Sequence, residues 1–159
     1  MSRQDMTRNA VLSDDRAYRY KLERMWGSDA SNVVGFIMLN PSIADGVRDD
    51  PTMTRVIKLA KFWGFDGVIV ANLYAYITPY SKDLKDVEDP VGPENEKYVR
   101  EIVDTCSKVV YGWGNAGTEP QWLRELVPSP YCIKMNKGGQ PKHPLYISAN
   151  TNMIPYVRR

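Results

Sequence analysis

An unbroken apolar run, Val33-Val34-Gly35-Phe36-Ile37-Met38-Leu39, stops abruptly at Asn40-Pro41-Ser42. A strand with one face in water alternates apolar and polar residues. A continuous run of strand length fits a strand covered on both faces, as in a parallel sheet flanked by helices. The same kind of run returns as Val68-Ile69-Val70-Ala71-Asn72-Leu73, and in weaker form at residues 108–113 and 131–135. Helical stretches separate these runs. Asp50 stands at an N-cap position, Pro51 at the first helical position, and Met53, Val56, Ile57 and Ala60 share one face. Pro93 opens a second helix, with Tyr98, Val99, Ile102, Val103 and Cys106 inward. Thr118 and Gln121 have capping-box spacing ahead of a third, which carries Trp122, Leu123 and Leu126.

Strand and helix in alternation predict a single α/β domain, three-layered α/β/α, with a mainly parallel four-stranded central sheet. Residues 18–24 alternate apolar and polar, which predicts an additional N-terminal edge strand. Residues 1–15 read as a flexible N-terminus and 16–148 as the α/β core. Right-handed crossovers place the C-terminal ends of the four strands on one edge, where open α/β sheets bind ligands. The polar residues that end those strands are Asn40, Asn72, Asn115 and Asn136.

At 159 residues and 43% hydrophobic, the chain can bury a full core without a disulfide or a metal. Its net charge of +2 argues against a polybasic binder and leaves room for a local basic groove. Cys106 and Cys132 stand far apart and fit no zinc or iron–sulfur spacing, so reduced thiols in a cytoplasmic protein are expected, with no metal and no cofactor. No apolar run approaches the ~20 residues that span a bilayer, so no membrane partner is expected. The expected oligomeric state is a monomer.

His143 is the only histidine, set between a Gly-rich loop and Pro144. Two readings stand: a structural residue, or a neutral imidazole that donates a hydrogen bond to a developing anion. Asn40 is either a turn former or an amide that presents itself to a water or substrate. It cannot be a strong base, so a carboxylate would come from Asp45, Asp49 or Asp50, the last of which doubles as a helix cap. Asn72 is unusual in an apolar strand. It either bridges backbone at the strand end or offers a donor pair and an acceptor that match a pyrimidine edge. Tyr74 follows as core or as a stacking surface. Residues 112–117 are Gly-rich but lack a Walker Lys-Ser/Thr. With Gly114 and Asn115 ahead of a helix, they could hold a phosphate through backbone N–H groups.

Leu39-Asn40-Pro41-Ser42, Ala71-Asn72-Leu73, Gly112-Trp113-Gly114-Asn115-Ala116 and His143-Pro144, in that order, resemble the uracil-DNA glycosylase superfamily. Over residues 18–147 the chain also resembles a small uncharacterised family of bacteria and phages. The glycosylase resemblance implies that Asn40 positions the hydrolytic water, Asn72 reads the base and His143 contacts the base carbonyl. Departures accompany it. Ser42 stands where some branches place a bulky aromatic that excludes a 5-methyl group, and Leu145-Tyr146 replaces the second half of the usual His-Pro-Ser-Pro motif. The expected function is therefore nucleobase-directed: N-glycosidic hydrolysis or base processing of a pyrimidine, 5-substituted ones included, in DNA or a nucleotide. Two alternatives stay open. One is a non-catalytic base-binding module; the other is an enzyme of phage-type DNA hypermodification that alters the base without cleaving it.

Overall fold

The structure, a computed structural model, describes residues 6–43 and 46–158. It contains strands β1 (Thr7–Leu12), β2 (Arg19–Met25), β3 (Val33–Met38), β4 (Gly67–Asn72), β5 (Lys108–Tyr111), β6 (Tyr131–Cys132) and β7 (Ile154–Pro155). The helices are α1 (Pro51–Phe62), α2 (Asn95–Thr105) and α3 (Gln121–Leu126). All seven strands form one sheet in the order β1-β2-β4-β3-β5-β6-β7. The four expected strands, β4-β3-β5-β6, are its parallel centre. β1, β2 and β7 join it antiparallel.

The apolar runs explain this centre. Every residue of β3 and β4 is buried, because helices cover both faces. On one side Met53, Val56, Leu59 and Ala60 of α1 pack against Val34, Phe36, Val68 and Val70. On the other, Val99 and Ile102 of α2 and Leu123 of α3 pack against Val33, Ile37, Ile69 and Ala71. Asp50 caps α1 by accepting the Met53 N–H at 2.8 Å, with Pro51 in the first turn, as the sequence implies.

Four features differ from expectation. The sheet has seven strands because short antiparallel partners extend it on both sides, and neither β1 nor β7 carries a strong apolar signal. β1 lies within residues 1–15 and β7 beyond residue 148, so the fold reaches further than the expected core. The alternating segment is β2, and it is interior: β1 pairs along its outer side from Thr7↔Met25 onward. Its alternation comes from having covered and half-covered faces rather than from an exposed edge. Finally, Thr118 caps nothing. Pro120 is the N-cap of α3, and β6 is only a two-residue strand.

β3 leads through α1 to β4 on one side, whereas β5 leads through α3 to β6 on the other. The chain directions diverge between β3 and β5, which opens a crevice beyond their C-terminal ends.

Candidate functional site

A cleft of about 170 Å³ occupies that crevice. Asn40, Pro41, Ser42 and Ile43 line it from the turn after β3, Asn72 from the end of β4, and Trp113 from just beyond β5. Asp50, Thr52 and Met53 contribute from the start of α1, Arg19 from β2, Arg48 from the approach to α1, and His143 from a distant loop. Asn40, Ser42, Asn72 and His143 are thus brought together.

Asn40 is clamped. Its Nδ2 donates to the carbonyls of Thr78 at 2.8 Å and Pro41 at 3.1 Å. With both amide hydrogens bound to backbone, Oδ1 is the end able to accept from a water or ligand. Ser42 donates its hydroxyl to Asp50 Oδ2 at 3.3 Å, so its small side chain leans on the helix cap.

Asn72 is only 2% exposed, and its Nδ2 has no hydrogen-bond partner. A buried donor in this state costs about 1–3 kcal/mol, a cost that an acceptor on a bound ligand removes. The strand end behind it is held from α2: the fully buried Asn95 donates Nδ2 to the Asn72 carbonyl at 2.8 Å. No sequence reading picked out Asn95. The available signal was an asparagine on the same helical face as Val99 and Ile102, in a stripe that otherwise goes to core.

His143 accepts the Leu145 N–H on Nδ1 at 3.2 Å and so caps the 3₁₀ turn Pro144–Tyr146. The neutral tautomer therefore carries its hydrogen on Nε2, as a donor. Burial pushes its pKa down from 6.5, against an opposing pull from the Asp50 carboxylate. The loop bearing it is fastened across β5. Gly114, at φ +78°, donates its N–H to the Pro141 carbonyl at 2.9 Å. Gly112 lets Pro144 approach so closely that a Cβ there would sit 3.2 Å from its ring. Trp113 Nε1 donates to Gln140 at 2.8 Å, and Arg55 of α1 reaches the Ile147 carbonyl.

The approach to α1 is fixed by buried charge. Arg24, fully buried in β2, donates Nε to Asp49 Oδ1 at 2.8 Å, and Arg8 of β1 binds the other oxygen at 3.0 Å. Asp49 is thereby engaged away from the cleft. Among the described residues Asp50 is the carboxylate that lines it, and Asp45 lies outside the described residues.

Three expected site residues lie elsewhere. Tyr74 lines a separate, more open hollow with Leu39, Lys82, Lys85 and Pro90. Asn115 is exposed and accepts from Asn136 at 2.8 Å. Gly114 supports the His143 loop rather than the cleft wall. In the other direction, Arg19 and Arg48 belong to the cleft lining although no motif drew attention to them, and so does Trp113, which stood within a quoted motif but was given no role.

Cys106 and Cys132 are free thiols whose pKa values burial pushes up to about 12 and about 11, which keeps them protonated and unreactive near neutral pH. Among the described residues no group of three or more His, Cys, Asp or Glu is placed to hold a metal ion, and no helix is long and apolar enough to cross a membrane.

In comparison with known proteins, residues 19–145 fit the model of a family described as a protein of unknown function. No curated protein and no solved structure matches. The resemblance to uracil-DNA glycosylases accordingly rests on the short motifs alone.

Proposed function

We propose that this chain, which belongs to the DUF1643 family, binds a pyrimidine base in the strand-end cleft and releases it by hydrolysis of the N-glycosidic bond of DNA or a nucleotide. The observation that carries this reading is the convergence of Asn40, Asn72 and a donor-bearing His143 on one cleft, with the Asn72 amide buried and unpaired. A cavity of about 150 Å³ is known to hold a benzene ring. The 170 Å³ here suits a single six-membered ring, with the sugar left at the mouth.

In the proposed reaction a water attacks the sugar carbon that bears the base. The carbon–nitrogen bond breaks, and its electron pair passes to the base, delocalised onto the ring carbonyls. Nε2–H of His143 donates to the carbonyl where that charge develops. Asn72 reads the base edge. Oδ1 of Asn40 accepts one hydrogen of the water, and Asp50 supplies the nearby carboxylate that takes its proton. A donor aimed at developing charge is worth about 3 kcal/mol in the transition state, more than it gives a neutral carbonyl. Ser42 leaves space beside the base, so thymine and 5-hydroxymethyluracil are accepted at least as well as uracil.

One observation favours a base-binding module instead. Both oxygens of Asp50 already accept hydrogen bonds, one from Met53 and one from Ser42. The test is to follow free-base release from oligonucleotides and nucleotides carrying uracil, thymine or 5-hydroxymethyluracil. Release that is saturable supports hydrolysis. Saturable binding with no release moves the reading to the module. A change in base mass without release moves it to modification.

A further inference from the structure

We infer that Tyr156, near the C-terminal end of the chain, is a positioning residue for His143: its ring and its hydroxyl hold the loop that delivers the histidine against the opposite wall of the cleft. The inference rests on the reading of His143 as the donor of that cleft. Tyr156 is not itself part of the lining.

The loop ahead of His143 is a small hairpin closed on itself. The Asn136 N–H bonds the Gln140 carbonyl at 2.8 Å, the Gly139 N–H returns to the Asn136 carbonyl at 2.9 Å, and Met135 bridges to Pro141. Bonded in this way the hairpin moves as one piece. A displacement at its tip therefore reaches Pro141 and Lys142, which lead directly into His143. Tyr156 grips that tip: its hydroxyl donates to the Gly139 carbonyl at 3.2 Å. The same ring stands edge-on to Trp113, with centroids 6.2 Å apart, and to Tyr111, 5.2 Å apart. Trp113 lines the cleft and donates Nε1 to Gln140 of the hairpin at 2.8 Å. One side chain thus touches both the wall beyond β5 and the hairpin that carries His143.

Tyr156 is held in place from both sides along the chain. Its N–H donates to the Pro130 carbonyl at 2.9 Å, and β7, just before it, pairs with β6. Just after it, Arg158 forks onto Glu119, Nε to Oε1 at 2.8 Å and Nη2 to Oε2 at 2.9 Å. Glu119 also accepts the Tyr111 hydroxyl on Oε2 at 2.6 Å, and its side chain is 8% exposed. A bidentate arginine–carboxylate pair adds geometric specificity to its energy. Tyr111, Glu119, Arg158 and Tyr156 thereby form a closed circuit of contacts. Packing alone would need only the tyrosine ring. The hydroxyl that reaches out to the hairpin tip is the feature that points to positioning. The ionisable groups that share the described lining with His143 are Asp50, Arg19 and Arg48, and the ring of Tyr146 lies 6.0 Å from its own. A substitution at Tyr156 keeps every member of that set.

His143 is the only histidine, so its imidazole can be titrated alone by NMR, without any substrate. Tyr156→Phe deletes the bond to Gly139 and keeps the ring, whereas Tyr156→Leu removes both. A loosened hairpin admits water to the imidazole, which relieves the burial that holds its pKa below 6.5. The His143 pKa should therefore climb toward 6.5, further in Tyr156→Leu than in Tyr156→Phe. Arg158→Lys keeps the charge but loses the fork, and should move it in the same direction. Base release from deoxyuridine 5′-monophosphate should fall about fivefold in kcat in Tyr156→Phe, the equivalent of one neutral hydrogen bond. Affinity for the monophosphate should change less, because the donor acts mainly on charge that develops in the transition state. Thermal midpoints are taken on the same preparations. A lowered midpoint with an unmoved His143 titration in both Tyr156 variants makes the residue purely structural and overturns the inference, while the proposed reaction stands. A wild type that releases no base, with the His143 titration shifted in the variants, removes the hydrolytic reading and leaves the positioning role in place.

Discussion

Two concave surfaces meet at Leu39, and they differ in kind. The cleft presents polar groups that the backbone holds still: Asn40 clamped by two carbonyls, His143 fixed by the Leu145 N–H, and Asn72 at a strand end braced by Asn95. The neighbouring hollow, with Tyr74, Lys82 and Lys85, is wider and its lining is more apolar. Its lysines ride on a 3₁₀ turn, Ser81–Asp86, that also carries Asp83 and Asp86. An aromatic ring beside lysines is a familiar surface, whereas an unpaired buried amide is rare. The difference teaches that unsatisfied hydrogen-bonding capacity on the wall of a cleft, rather than a favourable residue type, marks the place where a specific ligand belongs; Asn95 Oδ1 and Arg8 Nε are also buried and unpaired but lie outside this lining.

The largest effect should come from the frame. Asp49→Ala strips the fully buried Arg24 of its carboxylate, and breaking such a pair costs about 3–5 kcal/mol. A denaturation midpoint that hardly moves would show that the approach to α1 does not depend on this ion pair, and would weaken the contrast between a braced cleft and a loose hollow. Next comes His143→Ala, which should lower turnover about a hundredfold, or about 3 kcal/mol, with a smaller effect on binding. The same residue sets a pH dependence. Its folded pKa lies below 6.5, so the unfolded chain takes up the proton first. Its contribution to stability is therefore complete above pH 6.5, falls as the pH drops below that value, and levels off beneath the folded pKa. Protonation also sets an Nδ1–H against the Leu145 N–H that it normally accepts. Thermal midpoints of wild type and His143→Ala between pH 5 and 8 should converge on the acid side; parallel curves would remove this role.

Asn72→Leu should produce an unusual pair of outcomes. It removes a buried donor that has no partner, so stability should rise by about 1 kcal/mol while base binding is lost. Loss of both together would mean that the amide is structural, and the cleft would no longer differ from the hollow in the way argued here.

The parallel centre of the sheet was legible because its strands are covered on both faces, and a continuous apolar run has few other homes. α1 was legible at its start, where Asp50 and Pro51 act locally. β1 and β7 were not, since their burial depends on partners supplied by distant segments. The site divides in the same way. Asn40 and Asn72 follow from strand ends, and the placement of His143 followed from motif order. Arg19 and Arg48 reach the cleft only because β2 runs beside β4 and a buried arginine holds the segment before α1. Tyr74 was misplaced for a local reason. Strand alternation puts residues two apart on the same face, which would set Tyr74 beside Asn72 if the strand continued. Yet Leu73 and Tyr74 both donate their N–H groups to β3 and the residue after it, at the Met38 and Leu39 carbonyls. Successive N–H groups of a strand point to opposite sides, so the alternation has ended and the ring turns into the hollow.

The smallest effect is the one that most directly tests whether the two surfaces are separate. Tyr74→Leu keeps an apolar group in the hollow, and Tyr74 touches none of the clamps that hold Asn40, Asn72 or His143. A substitution away from such features usually stays within about 0.5 kcal/mol, which corresponds to little more than a twofold change in affinity. Monophosphate affinity and base release should therefore remain within about twofold of wild type for any ligand confined to the cleft. A longer single strand is the informative contrast, because it can run over Leu39 and lay its next base on Tyr74. Stacking on an aromatic ring is worth about 1–3 kcal/mol per base, so losing the ring would then weaken binding at least fivefold or so. A loss seen with the oligonucleotide and not with the monophosphate would join hollow and cleft into one extended surface. A loss of similar size with the monophosphate itself would mean that the ring acts on the cleft through Leu39, and the two surfaces could no longer be treated as distinct.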